Sequence, residues 1–279
     1  ASRSTRGTGA LSSASSARVN GADLFVETRG DGPGLVFLHA GVADSRMWDG
    51  VYQEFSETHR AVRFDIRGFG RSPMPPGRFA YHDDVTGVLD ASGLTRAVLV
   101  GCSFGADIAL DTCLAHPDRV SGLVLIAPGV GEGDASDEMS RFAEAEEEAL
   151  DRGDLDGATE LNLRMWVDGP RRGPQDVDPG LRARVGMMQR EAFQVPIPDG
   201  VERSRLDPPA GTRLSEIAVP TLVVAGALDV PYVLTAAERI EREVPGARRA
   251  VVPDAAHLVS MERPAEFTRL LRDFLERVR

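Results

Sequence analysis

The chain has 279 residues, 42% hydrophobic and only 6% aromatic, and carries a formal net charge of −11. That length allows one large α/β domain with an insertion, or two small domains, around a core of Val, Leu, Ile and Ala. The acidic balance argues against nucleic acid and anionic membrane surfaces as partners, and all 32 basic residues are arginine, which excludes Schiff-base, P-loop and Ser-x-x-Lys lysine chemistry.

Residues 1–17 are rich in Ser, Ala, Thr and Gly, with Leu11 as their one large apolar residue. They lack the apolar core of a signal peptide and read as a flexible tail. Residues 18–29 predict a hairpin about Asn20-Gly21. A buried strand follows from Gly34 to His39, then helical spacing over 44–57 through Met47, Val51 and Phe55, with Trp48 as core. A third strand, Ala61 to Phe64, ends in Asp65. Tyr81 to Ala91 is helical, with Val85, Val88 and Leu89 as its apolar stripe. A strand at 96–101 precedes a helix at 103–115 that Pro117 stops, and another strand covers Val120 to Ala127. Short apolar strands alternating with helices predict an α/β fold, a mostly parallel sheet with helices on both faces.

The alternation breaks over 131–212, which shows no convincing strand. Helical patterns run from Phe142 to Leu150, from Leu155 to Val167 and across 179–193, so this segment reads as a helical cap. Its acidic run, Glu144, Glu146, Glu147 and Glu148, reads as a solvated helix face. Strands at 219–225 and 247–252 flank a helix at 231–243, and a terminal helix spans 264–278. The core is therefore expected over 18–130 and 213–279. No run approaches 18 apolar residues, so no membrane-spanning helix is expected. Cys102 and Cys113 are held roughly 15 Å apart by the helix between them, too far for a disulfide. That suits a reducing cytoplasm. Heavy use of Arg, Ala, Gly and Asp points to a GC-rich bacterial genome. Oligomeric state stays open, a homodimer included.

Gly101-Cys102-Ser103-Phe104-Gly105 lies between the apolar run Ala97–Val100 and a helix, with serine at the apex of a strand-to-helix turn. The chain must reverse sharply there, which strains the serine backbone and leaves no room for side chains on either flank. The outcome is a hydroxyl presented above the sheet, a nucleophile elbow. Cys102 beside it reads as buried packing.

A serine hydroxyl needs a general base and a group to orient that base. Among the five histidines, His39 reads as shaping its own loop, His59 and His82 as surface residues, and His116 as capping helix carbonyls. His257 follows the last strand, where parallel sheets place their chemistry, and satisfies the chain order Ser, acid, His. Asp229 ends the preceding strand in Gly226-Ala227-Leu228-Asp229 and is the expected acid, with helix capping as its alternative role. Asp254 is a rival placed too close to His257. The oxyanion of a tetrahedral intermediate needs fixed amide donors, expected from Phe104 and Gly41, the latter in His39-Ala40-Gly41-Val42. Val42, Phe104, Leu258 and Trp166 are expected to line the substrate pocket. No cofactor and no metal are expected.

Beyond the elbow, Asp65-Ile66-Arg67-Gly68-Phe69-Gly70-Arg71-Ser72 and the ending His257-Leu258-Val259-Ser260-Met261-Glu262-Arg263-Pro264 complete a pattern. From about residue 18 onward the chain resembles the α/β-hydrolase fold superfamily, and its helical cap is similar to that of the bacterial 3-oxoadipate enol-lactonase-like and C–C hydrolase-like members. The resemblance implies that Asp65 and Arg67 are structural. It also implies that the dehalogenases and epoxide hydrolases of the fold, which use aspartate at the elbow, are poor guides to activity here. The expected function is hydrolysis of a small ester or lactone through an acyl-enzyme. C–C bond hydrolysis on the same triad is the alternative, and a ligand receptor on the same fold is an alternative of another class.

Overall fold

The computed structural model describes residues 13–130 and 137–278. Among the described residues ten strands form: β1 Ser13–Val19, β2 Ala22–Arg29, β3 Gly34–Leu38, β4 Arg60–Phe64, β5 Gly77–Phe79, β6 Ala97–Cys102, β7 Val120–Ile126, β8 Val201–Arg203, β9 Thr221–Gly226 and β10 Arg248–Val252. Eight of them make one sheet in the order β1-β2-β4-β3-β6-β7-β9-β10. Only the β1–β2 and β2–β4 pairs are antiparallel; all pairs from β4 to β10 are parallel.

Strand side chains alternate between two cores, one on each face of the sheet. Leu35 and Phe37 of β3, Val98 and Val100 of β6, and Val124 and Ile126 of β7 enter one cluster. Their neighbours Val36 and Leu38, Leu99, and Leu123 and Leu125 enter the other. This period of two, apolar in both phases, is what a strand buried on both faces requires. The first face is covered by α1 (Asp49–Phe55), α8 (Val259–Glu262) and α9 (Pro264–Leu275) through Val51, Phe55, Val259, Phe267 and Leu271. The second is covered by α2 (Tyr81–Ala91), α3 (Phe104–Ala115) and α7 (Pro231–Glu243) through Val85, Leu89, Ile108, Ala109, Ala237 and Ile240. Each of the Val, Leu, Ile and Phe side chains among them contributes on the order of 1.5–3 kcal/mol when fully buried. Trp48 is wholly buried and packs between Phe37 and Phe267.

Between β7 and β9 the chain is mainly helical: α4 (Asp137–Asp151), α5 (Leu155–Asn162), a π-helical turn (Leu163–Asp168) and α6 (Pro179–Ala192). Asp154 and Asp178 cap α5 and α6 by accepting from the Gly157 and Leu181 amides. Residues 131–136, where the expected insertion begins, lie outside the described residues.

Two expectations need correction. The reading of residues 1–17 as a tail fails from Ser13 onward, because β1 begins there and pairs with β2 along its whole length; residues 1–12 lie outside the described residues. Small polar side chains hid a strand that only edge pairing supports. The stretch 131–212 does contain a strand, the three-residue β8, which pairs in parallel with β5 across the loop after β4. Neither strand has an apolar rhythm long enough to read.

Within the Asp65–Ser72 loop, Asp65 and Arg67 make buried contacts that tie loops and elements together, in line with the structural part that the resemblance implied for them. Arg67 and Asp84 are both almost fully buried and form a two-toothed ion pair at 2.7 Å. The guanidinium also donates to the Val19 and Asn20 carbonyls, and the Asn20 amide donates to Asp84. The β1–β2 hairpin is thereby bolted to α2. Asp84→Ala strands a buried guanidinium and should lower unfolding free energy by about 3–5 kcal/mol, whereas the double replacement Arg67→Met with Asp84→Leu should cost much less. Urea denaturation of both proteins checks this.

Candidate active site

The turn at β6–α3 is as tight as its sequence predicts. Ser103 holds φ 51° and ψ −117°, a left-handed conformation that is rare outside glycine. A Cβ on Gly101 would lie 2.3 Å from the Gly105 carbonyl oxygen, and one on Gly105 would lie 2.4 Å from that of Leu38. Both positions therefore exclude any side chain. The Ser103 amide donates to Ile126 at 2.8 Å, and its carbonyl accepts the amides of Ala106 and Asp107. The backbone is fixed while the hydroxyl is left for the cavity above. Cys102 is wholly buried, and burial pushes its thiol up.

His257 Nδ1 lies 2.9 Å from Asp229 Oδ2, with both side chains buried. The other carboxylate oxygen of Asp229 accepts the Val230 amide at 2.8 Å. The N-cap position of α7 is Val230, with no side-chain cap, so the Asp229 carboxylate is bonded to the imidazole and does not cap the helix. Because a carboxylate only accepts, Nδ1 carries the proton and Nε2 is left as the basic nitrogen. Ser103 and His257 line the same cavity, and no hydrogen bond joins them in this structure.

The loop after β3 is held from below. His39 is wholly buried; its Nε2 accepts the Ile66 amide at 2.9 Å, so Nδ1 must be the donor to the Ala40 carbonyl at 2.8 Å. Burial pulls its pKa below the usual value. Asp65 accepts the Ser45 and Arg71 amides; burial alone would raise its carboxyl, but these donors together with the nearby His39 and the Arg71 guanidinium make the net shift downward. The amides of Gly41, Val42 and Phe104 donate to no backbone carbonyl among the described residues. Phe104 opens α3, whose exposed amides and dipole favour negative charge.

Glu262 joins two parts of the site. One oxygen accepts the Ala256 amide next to His257, and the other accepts Arg172 at 2.8 Å. Arg172 in turn donates to the Val167 and Asp168 carbonyls at the end of the π-helical turn. That turn carries Trp166, whose ring centroid is 4.5 Å from that of His257. A π-turn at a ligand-facing position is a common functional distortion.

The cavity holds about 440 Å³, within the range of small-molecule sites. Gly41, Val42, Ser103, Trp166 and His257 line it, as expected from the sequence. Leu258 does not: it is wholly buried in the core, because the strand-end loop turns His257 upward and its neighbour inward. The Phe104 side chain does not line it either, and packs edge-on against Tyr81 and beside Phe69, which do. Glu146, expected on a solvated helix face, lines the cavity together with Phe142, Asn162, Gln189 and Phe193. Sequence periodicity finds the apolar face of a helix but does not say which polar residue beside it meets a ligand. His116 does not cap helix carbonyls; its Nε2 lies 2.8 Å from Asp83. With His82 these residues form a half-exposed group whose ligand atoms lie within 4.8 Å of one another, the one such grouping found among the described residues. No described helix is long and apolar enough to cross a membrane.

A family model for the alpha/beta hydrolase fold matches residues 33–264. Epoxide hydrolase 2 of Siraitia grosvenorii is 28% identical over 93% of this chain and 96% of its own length. The pimeloyl-[acyl-carrier protein] methyl ester esterase of Chromobacterium violaceum is 29% identical over 91% and 98%. Among solved structures, "Est816 as an N-Acyl homoserine lactone degrading enzyme" superposes with a TM-score of 0.73 at 28% identity, covering 93% of this chain and 99% of that one. The enol-lactonase of Burkholderia xenovorans LB400, at 24% identity and a TM-score of 0.75 over 94% and 99%, shares the fold.

His39 gives a pH prediction. The folded state resists a proton that the unfolded chain accepts near 6.5, so stability should fall as pH drops through and below that value. Unfolding free energies at pH 7.5 and 5.5 should differ less in His39→Gln than in the parent chain.

Proposed function

The chain belongs to the alpha/beta hydrolase fold family, and on that premise we propose that it is a serine hydrolase cleaving a small carboxylic ester or lactone, with Ser103 as nucleophile, His257 as base and Asp229 as its orienting acid. The observation that carries the reading is the convergence on one cavity of a strained, presented serine and a histidine whose Nδ1 is bonded to a buried carboxylate. Of the cap expected over 131–212, the described residues contribute α4, α5 and α6 to the substrate wall.

The reaction follows from these positions. Ser103 Oγ attacks the carbonyl carbon while His257 Nε2 takes its proton. Asp229 holds the imidazole in the tautomer that leaves Nε2 free and stabilises the imidazolium that forms. The oxyanion accepts from the Gly41 and Phe104 amides, the latter at the positive end of α3. The C–O bond to the leaving group then breaks, and His257 returns its proton to that oxygen. For a lactone the released hydroxyl stays on the acyl chain. Water, deprotonated by the same imidazole, cleaves the acyl-enzyme and restores Ser103.

The serine also separates this chain from the epoxide hydrolases it resembles in sequence. Opening an epoxide with serine would leave an ether on the enzyme, which water does not cleave near neutral pH. Opening a carbonyl leaves an ester, which water cleaves with the same machinery. The lactone arm draws support from the resemblance to the homoserine lactone degrading enzyme, and the ester arm from the methyl ester esterases. Both cysteines are free and buried, in keeping with a reducing bacterial cytoplasm.

Ser103→Ala should lower kcat/KM for short p-nitrophenyl esters by at least about 10⁴-fold with unchanged melting temperature, and Asp229→Asn by about 10³–10⁴-fold. Retention of a tenth of the activity by Ser103→Ala would overturn the assignment.

A further inference from the structure

The cavity wall opposite the sheet repeats one arrangement on two helices. On α4, Phe142 and Glu146 lie one turn apart; at the end of α5 and in the π-helical turn, Asn162 and Trp166 do the same. The aromatic members meet each other edge-on at 5.8 Å, and Trp166 continues to His257. The polar members also meet: Asn162 Nδ2 donates to Glu146 Oε1 at 2.5 Å and to the Ala158 carbonyl at 3.0 Å. The wall is thus an aromatic level beside the reacting atoms and a polar level roughly 6 Å further along the helices, the rise of four residues.

The polar level carries a carboxylate and, among the described residues lining it, no arginine or lysine. Both hydrogens of the Asn162 amide are spent on Glu146 and Ala158, which leaves its Oδ1 as the group it can offer a ligand. Glu146 adds its carboxylate. Gln189 on α6 lines the same cavity, is only 5% exposed, and its Oε1 has no partner. Rotation about the last side-chain bond can turn that oxygen toward a donor in the cavity. Although the chain contains 32 basic residues, no arginine is among the described residues lining this cavity. Arg203, close by, stacks on the Tyr81 and Phe104 rings.

Resting on the serine hydrolase reading, we propose that Glu146, Asn162 and Gln189 form a specificity site for esters or lactones bearing a hydrogen-bond donor. That donor, a hydroxyl, amide N–H or ammonium, sits about 6 Å beyond the part of the substrate held by Trp166. The same wall rejects substrates with a carboxylate there, because the anion would meet Glu146 with no cation to pair it. The site is therefore a poor match for the lactones of dicarboxylic acids.

Two measurements test this. Methyl hexanoate, methyl 6-hydroxyhexanoate, methyl 6-aminohexanoate and monomethyl adipate differ only at the far end. Wild-type kcat/KM should rise about 3–10-fold from the alkyl ester to the hydroxyl and ammonium esters and fall at least 10-fold for the adipate. In Glu146→Gln the ratio of ammonium ester to adipate ester should drop at least 10-fold. Equal turnover of the alkyl and adipate esters, or an unchanged ratio in Glu146→Gln, would overturn the proposal. Calorimetry with hexanamide, 6-aminohexanamide and adipamic acid reads the same preference without catalysis. Binding of adipamic acid as tight as that of 6-aminohexanamide would overturn the specificity site even if esters are cleaved. The predicted binding order without ester turnover would uphold the site and overturn the hydrolase reading instead.

Discussion

The close approach of β6, α3 and β3 governs the rest of the structure. At Gly101 and Gly105 the backbones come so near that even a methyl group would overlap a carbonyl oxygen or its neighbours. The chain reverses within one residue, and Ser103 absorbs the cost as a left-handed conformation worth of order 1–3 kcal/mol. That strain persists because β6 lies between β3 and β7, paired to both, with apolar side chains packed on each face. The core that stabilises the fold is thus what holds the hydroxyl in place.

Around this fixed point, buried polar groups set the loops that must converge on the serine. His39, locked in one tautomer between Ile66 and Ala40, ties the loop after β3 to the loop after β4. Asp65 does the same through Ser45 and Arg71. Glu262 binds the His257 loop to Arg172, and through it to the turn bearing Trp166. These contacts are charge-assisted or sealed from water, where an unpaired group would cost more than the bond contributes. They account for the motifs flanking the elbow without giving those residues any part in the chemistry.

The central strands were legible because burial on both faces demands long apolar runs, and the elbow because its geometry admits few residues. Chain order and strand-end positions single out Ser103, Asp229 and His257, and the structure puts Ser103 and His257 on one cavity and Asp229 against His257. What could not be read depends on tertiary direction. Leu258 and His257 are adjacent, yet one enters the core and the other the cavity. Glu146 sits among solvated glutamates, and only the packing of α4 on α5 turns it inward. The strands β1 and β8 owe their existence to partners distant in sequence or to an edge that any extended segment could occupy. His116 found Asp83, a residue 33 positions away, where local capping offered a nearer use for it.

The central claim is that Ser103 alone carries the acyl group. Intact-protein mass spectrometry after treatment with a fluorophosphonate, followed by peptide mapping, tests it most directly. The account predicts one adduct per chain, on Ser103, that disappears in Ser103→Ala and forms far more slowly in Asp229→Asn. An adduct on another residue, or equal labelling of Ser103→Ala, would contradict it.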